Sequence, residues 1–371
     1  MSYRFVVPCL FGLESIVAAE LNGMGAENVV SENGRVLFSG DFAMMARANL
    51  SLRCGERVLL LAGEFEARSF EELFDQVRRL PWEQYIGLRD EFPVTGYSLR
   101  SKLFSVRDCQ SIIKKAIVER LKSQYGVSWF EETGARHMIR FAILKDRVSV
   151  MLDTSGVGLY KRGYRLESND APIKETLAAA MCSLARLREY HTLYDPLCGS
   201  GTILTEGALM ALNIAPGLKR SFISERWENV GEAVFNRERE RARELIRRDV
   251  PFQAYGSDID AKAIESALGN AKRAGVADRI KFSVQDVRFW ANRSDRGTVI
   301  TNPPYGERLL DIEQAEQIIK ILGEKFDKKR GWSYYIISPS DQFETLFGRR
   351  ADKRRKLYNG MMQCQLFMYY K

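Results

Sequence analysis

The sequence predicts an α/β chain whose C-terminal part carries a mostly parallel, seven-stranded sheet. From residue 171 onward short apolar runs, 192–195, 253–258, 280–284, 299–301 and 333–338, alternate with helical segments. Alternation of this kind implies parallel strands covered by helices on both faces. A glycine-rich turn, Gly199-Ser200-Gly201, follows the first of these strands and opens a helix over 202–212. The stretch 356–370 holds two further strand-like runs around Asn359-Gly360, which reads as an antiparallel hairpin closing one edge.

The N-terminal part reads differently. Residues 1–65 form a small α/β unit: a strand over 3–7, an amphipathic helix over 13–21 stopped at Gly23-Met24-Gly25, strands either side of Asn33-Gly34, a helix over 42–49 and a strand over 57–61. Residues 66–165 hold a helix over 69–80, a strand over 92–98, a long helix over 106–125 and a hairpin, 140–144 with 148–153, turning at Lys145-Asp146-Arg147. The segment after it interleaves Tyr160, Lys161, Arg162, Tyr164 and Arg165. Such a mixture either holds phosphates and stacks bases or forms a solvated strand edge. Residues 166–371 make up the third division, with the parallel sheet.

Composition narrows the class. With 45% hydrophobic and 28% charged residues the chain is an ordinary globular one, able to bury its own core. No apolar run reaches the length that crosses a bilayer, and residues 1–8 lack the charged-then-apolar pattern of an export signal, so a cytoplasmic protein with no membrane partner is expected. Six cysteines without a C-x-x-C pair and only two histidines, His137 and His191, argue against a zinc site, a disulfide framework and histidine-based catalysis. No metal is expected. A net charge of +8 suits a polyanionic partner.

The turn Asp195-Pro196-Leu197-Cys198-Gly199-Ser200-Gly201-Thr202 lies between a strand and a helix. Its glycines let a ligand approach the backbone, and the helix N-terminus offers free N–H groups. It is neither a P-loop nor a G-x-G-x-x-G fingerprint. A carboxylate at the strand end repels pyrophosphate but suits a cationic, amino-bearing ligand such as S-adenosyl-L-methionine. Asp258 ends the second strand, where it can accept both ribose hydroxyls, with Ile259 packing on adenine. Asp286 ends the third and can accept from the adenine amino group. Each of these aspartates can also be a plain helix cap, the reading preferred for Asp260.

Thr301-Asn302-Pro303-Pro304-Tyr305-Gly306 follows the fourth strand. Two consecutive prolines stiffen the loop and remove donors. The Asn302 amide and the Pro303 carbonyl can together accept both hydrogens of an exocyclic NH2, turning its lone pair toward a sulfonium methyl. The Tyr305 ring can stack on a base swung out of its helix. An isolated X-Pro-Pro turn would carry none of this; its place downstream of the glycine turn does.

The glycine turn together with Asn302-Pro303-Pro304-Tyr305-Gly306-Glu307-Arg308 resembles the THUMP-domain RNA methyltransferases. More narrowly, the chain is similar to the N-terminal half of the fused bacterial 23S rRNA guanine-N2 methyltransferases, with matches at 159–165, 171–180, 215–218, Ala351-Asp352-Lys353 and Asn359-Gly360. The resemblance implies a ferredoxin-like subdomain over 1–65, a THUMP RNA-binding domain over 66–165 and a class I (Rossmann-like) methyltransferase domain over 166–371. It also implies that Asn302, Pro303 and Tyr305 hold a target guanine and that Lys174, Glu175 and Thr176 cover the methionine end of the cofactor. The fused proteins carry a second methyltransferase domain outside the stretch matched here, so whatever depends on it is not implied.

The expected partner is RNA, either 23S rRNA or a ribosome-assembly intermediate. A tRNA guanine, a DNA adenine or a glutamine amide also presents an NH2 to such a loop, and a non-catalytic RNA-binding or assembly factor is the reading from another class. Two charged stretches stand apart. The mixed-sign run 236–248 reads as a solvated helix face, and Arg349-Arg350 with Lys353-Arg354-Arg355-Lys356 reads as either a phosphate contact or a solubility patch.

Overall fold

The computed structural model describes residues 2–165, 173–291, 295–305, 312–326 and 331–370. Its N-terminal half comprises β1 (Tyr3–Pro8), α1 (Glu14–Met24), β2 (Glu27–Glu32), β3 (Arg35–Gly40), α2 (Phe42–Ser51), β4 (Leu59–Glu66), α3 (Phe70–Arg79), β5 (Val94–Leu99), α4 (Val106–Tyr125), β6 (Ile139–Leu144) and β7 (Arg147–Asp153). These strands form one sheet in the order β2-β3-β1-β4-β7-β6-β5. β4 makes it continuous, pairing Phe5↔Leu60 on one side and running from Leu59↔Asp153 to Glu66↔Arg147 on the other. The expected strand over 57–61 therefore extends to Glu66. Its register shifts between Leu61 and Gly63, and this irregularity hides the continuation from a period-two reading. The β6–β7 hairpin turns through Lys145 and Asp146 at φ 51° and 66°, the paired left-handed residues of a tight two-residue turn.

The C-terminal half comprises α5 (Glu175–Leu184), β8 (Thr192–Asp195), α6 (Thr202–Ala211), α7 (Glu232–Glu244), β9 (Gln253–Asp258), α8 (Ala261–Ala274), β10 (Ile280–Val284), β11 (Gly297–Thr301), α9 (Ile312–Glu324), β12 (Trp332–Ser338), α10 (Phe343–Phe347), β13 (Lys353–Asn359) and β14 (Met362–Tyr369). The second sheet runs β10-β9-β8-β11-β12-β14-β13. The pairs from β10 to β12 are parallel, and β14 and β13 are antiparallel additions. The mostly parallel seven-stranded sheet expected from the sequence is present. Strand order reverses between β8 and β11, and in open α/β sheets ligands bind beyond the carboxyl ends of the strands at such a switch point. The glycine turn and the Asn302 loop leave the sheet there.

The three charged or aromatic stretches differ in how far they face solvent. Within 158–165, Arg162 and Tyr164 are both buried. Tyr164 Oη donates to Glu206 on α6 at 2.9 Å, and Arg162 Nε lies 3.6 Å from the same carboxylate. Arg165 pairs with Glu175 at 2.9 Å. The segment joins the two halves, so its alternate side chains turn into their interface and meet neither phosphate nor bulk solvent. The charged stretch 236–248, most of it on α7, presents most of its side chains to solvent, as expected, and α7 buries its opposite face. Phe235, Glu238 and Ala242 form a buried stripe at helical spacing, and Arg47 of α2 grips Glu238 with bonds of 2.8 and 3.0 Å. In the C-terminal basic run, Arg349 stacks over the Phe326 ring at 4.3 Å, Arg354 pairs with Glu344 at 3.7 Å, and Arg355 donates to Gly12 O and Ser15 Oγ. Lys353 and Lys356 remain exposed.

His137 is buried with its ring stacked on Trp227 at 4.5 Å, and the six cysteines are buried free thiols. Among the described residues no helix is long and apolar enough to cross a membrane, and no three His, Cys, Asp or Glu side chains cluster as a metal site would require.

Candidate active site

Asp195 is the last residue of β8 and is almost fully buried. Its Oδ1 accepts from Leu197 N at 3.2 Å and from Thr301 Oγ1 at 2.7 Å. Burial outweighs these two donors, which pull the other way, and with the nearby Asp258 charge it raises the Asp195 pKa to about 7. Among the described residues no ion pair reaches this carboxylate.

The glycine turn is held from behind. Cys198 N donates to Ser257 O at 2.9 Å, Ser257 Oγ to Pro196 O at 3.4 Å, and the Asn270 amide to Ser200 O at 3.0 Å. Ser200 Oγ and Thr202 Oγ1 share a 3.2 Å bond. Gly201 lies at φ +73°, and a Cβ there would meet the Ala267 Cβ at 2.9 Å, so only glycine allows α8 to pack this close. Gly199, at φ +50°, would direct a Cβ into open space. The Cys198 thiol is buried and its pKa is pushed up by that burial, so it is no nucleophile.

Asp258 ends β9. Its Oδ2 accepts from Gly199 N at 2.9 Å and its Oδ1 from Asp260 N at 3.1 Å, so the carboxylate is positioned by the turn itself. Ile259 beside it is an apolar side chain 68% exposed. Asp260 caps α8 through Lys262 N at 2.9 Å, as expected. Asp286 caps the short 3-10 turn at 287–289. It takes bonds from Arg288 N, Nε and Nη2 at 2.8, 2.9 and 2.6 Å, which hold its pKa below the usual carboxylate range. It stands at the same end of the sheet as Asp258, whose carbonyl accepts from Gln285 N at 2.9 Å, with its own carboxylate paired to Arg288.

Asn302 to Tyr305 follow β11 directly, with Pro303 buried and Asn302, Pro304 and Tyr305 half-buried. The Tyr305 hydroxyl donates to Asn302 Oδ1 and lies against Cys364 and Asn359 of the C-terminal hairpin. Burial raises the Tyr305 pKa, keeping it a phenol. Gly306, Glu307 and Arg308, like Ala171 and Pro172, lie outside the described residues.

The structure therefore brings Asp195, Pro196, Cys198, Gly199, Ser200, Gly201, Thr202, Asp258 and the Asn302 loop to one end of the sheet. Lys174, Glu175 and Thr176 turn their side chains elsewhere. Thr176 Oγ1 donates to Glu56 at 2.9 Å, Lys174 Nζ lies 3.9 Å from Glu56, and Glu175, raised to about pKa 6 by burial, pairs with Arg165. Any cover they give a ligand comes from their backbone. Sequence reasoning missed Thr301 and Asn270. Both carried a signal: a hydroxyl ending an apolar strand, and an amide on the otherwise alanine-lined buried stripe Ala263, Ala267, Ala271, Ala274.

A buried carboxylate with no cation paired to it among the described residues, a carboxylate at the next strand end able to accept a diol, and an open backbone turn between them fit an amino-bearing nucleoside. S-adenosylmethionine is such a molecule. The residues that would hold it are Asp195, the glycine turn, Asp258 and Ile259.

Comparison with known proteins agrees with this geometry. Residues 4–59 match the family described as RlmL ferredoxin-like domain, residues 67–153 the THUMP domain, and residues 162–367 the family described as RMKL-like, methyltransferase domain. A Bacillus subtilis protein named putative RNA methyltransferase YpsC is 42% identical over 99% of this chain and 96% of its own length. The ribosomal RNA large subunit methyltransferase K/L of Psychromonas ingrahamii is 33% identical over 98% of this chain and 50% of its own, so the chain spans about half the length of that relative. The crystal structure of SMU.472, a putative methyltransferase complexed with SAH, superposes with a TM-score of 0.95 at 40% identity, covering 100% of this chain and 98% of that one.

Proposed function

This chain belongs to the RMKL-like methyltransferase family, S-adenosylmethionine-dependent enzymes here joined to ferredoxin-like and THUMP domains, and from that premise we propose that it methylates the exocyclic N2 of a guanine in 23S rRNA. The observation that carries the reading is the adjacency of two loops. Asp195, a buried carboxylate with no cation paired to it among the described residues, ends β8, and Asn302 follows β11 on the neighbouring strand, joined to it through Thr301. S-adenosylmethionine supplies a methyl group on a positively charged sulfur, which a neutral amine can accept. The chain's part is to orient the amine and to screen it from water.

Asn302 Oδ1 and the Pro303 carbonyl are the acceptors for the two amine hydrogens. The Tyr305 hydroxyl donates to Asn302 Oδ1, so a substrate amine would exchange one donor for another there at little net cost. No strong base is needed, because the proton leaves after the methyl has arrived. The guanine and rRNA assignments draw support from the relatives named ribosomal RNA large subunit methyltransferase K/L and from the THUMP domain, a basic chain of net charge +8 being suited to a polyanion.

The test is methyl transfer from radiolabelled S-adenosylmethionine to 23S rRNA and tRNA purified from cells lacking the protein, followed by digestion to nucleosides. Label in N2-methylguanosine from 23S rRNA is expected. Label confined to tRNA, or found in N6-methyladenosine, would overturn the assignment, and cofactor binding without transfer would make the chain a non-catalytic RNA-binding factor.

A further inference from the structure

The loop between β1 and α1 carries Phe11, 58% exposed, on a backbone with little freedom. Gly12 N and Gly34 N donate to the Glu14 carboxylate at 2.9 and 3.0 Å, and Cys9 N donates to Gly34 O at 3.0 Å. From the other half of the molecule, Arg355 of β13 donates to Gly12 O at 2.5 Å and to Ser15 Oγ at 3.0 Å. Gly12 sits at φ +89°, where an added Cβ would stand 2.8 Å from Lys356 O, so the loop lies directly against β13.

The Phe11 ring meets Tyr358 edge-on, with centroids 6.2 Å apart, and Lys356 Nζ lies 5.6 Å from the centroid of the Tyr358 ring. The next residue, Asn359, lies against the Tyr305 hydroxyl. Lone exposed phenylalanines are ordinary on protein surfaces. This one stands on a bonded loop beside a second ring and an exposed cation, and Tyr358 is one residue along β13 from Asn359, which meets the candidate catalytic loop. A base drawn out of its helix leaves its neighbours unstacked, and aromatic side chains flanked by cations are what single-stranded nucleic acid rests on.

We propose that Phe11, Tyr358 and Lys356 form a stacking platform for the single-stranded RNA nucleotide adjoining the target base. This rests on the reading of RNA as substrate. It gives the N-terminal half a direct part at the mouth of the site, in addition to whatever its THUMP domain contributes. Phe11 and Tyr358 take the base, and Lys356 takes the flanking phosphate.

The test uses the full chain with 23S rRNA from cells lacking it, measuring methyl transfer against RNA concentration. Phe11→Ala should raise KM for RNA by roughly ten-fold or more, the range for loss of one base–aromatic stack, with kcat and the affinity for S-adenosylmethionine held within about two-fold. Phe11→Trp should restore KM, which a structural role in the loop would not produce. Lys356→Ala should reduce the slope of log affinity against log salt by about one. An unchanged KM in Phe11→Ala, or a tryptophan variant as weak as the alanine one, would overturn the platform while wild-type transfer still supports the functional reading. A wild-type protein that transfers nothing to RNA would bring down both.

Discussion

Thr301 Oγ1 donates a 2.7 Å hydrogen bond to Asp195 Oδ1, tying the end of β11 to the end of β8 and so the Asn302 loop to the glycine turn. That bond also lowers the Asp195 pKa against the pull of burial. Thr301→Val keeps the shape and removes the donor, so the pKa should rise further above about 7. Only the ionised carboxylate attracts an ammonium group. The acid limb of cofactor affinity should therefore move to higher pH in the variant, with a loss of about ten-fold at neutral pH, the worth of one hydrogen bond to a charged group, and little change at pH 9. Calorimetric titration with S-adenosylmethionine across pH reads this directly. An unmoved limb would remove Thr301 from the site.

The same carboxylate makes a prediction about the ligand-free fold. Burial raises the Asp195 pKa to about 7 in the folded protein, against an ordinary value of 3.8. Between those values the folded state holds a proton that the unfolded chain has released. Stability from this group is present below about pH 4 and is lost as pH rises through about 7, by up to about 4 kcal/mol at the limit of 1.36 kcal/mol per pKa unit. Asp195→Asn should lose less resistance to urea between pH 4.5 and 7.5 than wild type does, the remaining loss coming from groups such as Glu175, raised to about pKa 6 by burial. Parallel pH dependences in the two proteins would place the perturbed group elsewhere.

What could be read from the sequence was local. Asp195, Gly199, Gly201, Asp258 and the Asn302 loop stand at strand ends, and a strand end is recognisable from a few neighbouring residues. What could not be read depends on partners far along the chain. Arg355 is 343 residues from the Gly12 carbonyl it binds, and Glu238 is 191 from Arg47. Nothing within 158–165 or 236–248 tells a cation facing solvent from one facing the other half of the molecule. β4 was read short because its register shift at Gly63 breaks the alternation on which strand recognition depends.

Asp258 is held by Gly199 N at 2.9 Å and Asp260 N at 3.1 Å, so it shapes the glycine turn as well as offering its oxygens to a ribose. Asp258→Ala should weaken S-adenosylmethionine binding by roughly 10- to 100-fold, the loss of charge-assisted hydrogen bonds to two hydroxyls. S-adenosylhomocysteine should weaken in parallel, since the lost contacts do not involve the methyl group. Unaltered affinity for both would argue against the ribose assignment.

Asn302 makes a complementary prediction. Its side chain contacts Tyr305 and, among the described residues, nothing of the glycine turn. Asn302→Ala should lower kcat by roughly 100- to 1,000-fold, as loss of a positioned catalytic hydrogen-bonding group does, while leaving S-adenosylmethionine affinity within about two-fold. Single-turnover transfer paired with calorimetry separates the two. Transfer near the wild-type rate would mean that another group orients the amine.

The last prediction concerns the seam between the halves. Glu206, on α6 directly behind the glycine turn, is fully buried. Its Oε1 accepts from Tyr164 Oη at 2.9 Å, and Arg162 Nε lies 3.6 Å away, an ion pair longer than a hydrogen bond. Arg53 is half-buried nearby, with its pKa lowered by desolvation and supported by the Glu206 and Glu20 charges. Glu206→Ala leaves Arg162 without its carboxylate and Arg53 with Glu20 alone, a change that costs about 3–5 kcal/mol where such pairs are broken. Replacing the pair together, Glu206→Leu with Arg162→Met, removes one of those cations and should recover part of the loss. Because α6 opens at the glycine turn, the single variant should also bind S-adenosylmethionine more weakly, and the double variant should regain affinity along with stability. Denaturation and calorimetry on the same three proteins decide it. A silent Glu206→Ala, or a double variant as unstable as the single one, would show that the carboxylate does not hold the two halves in register.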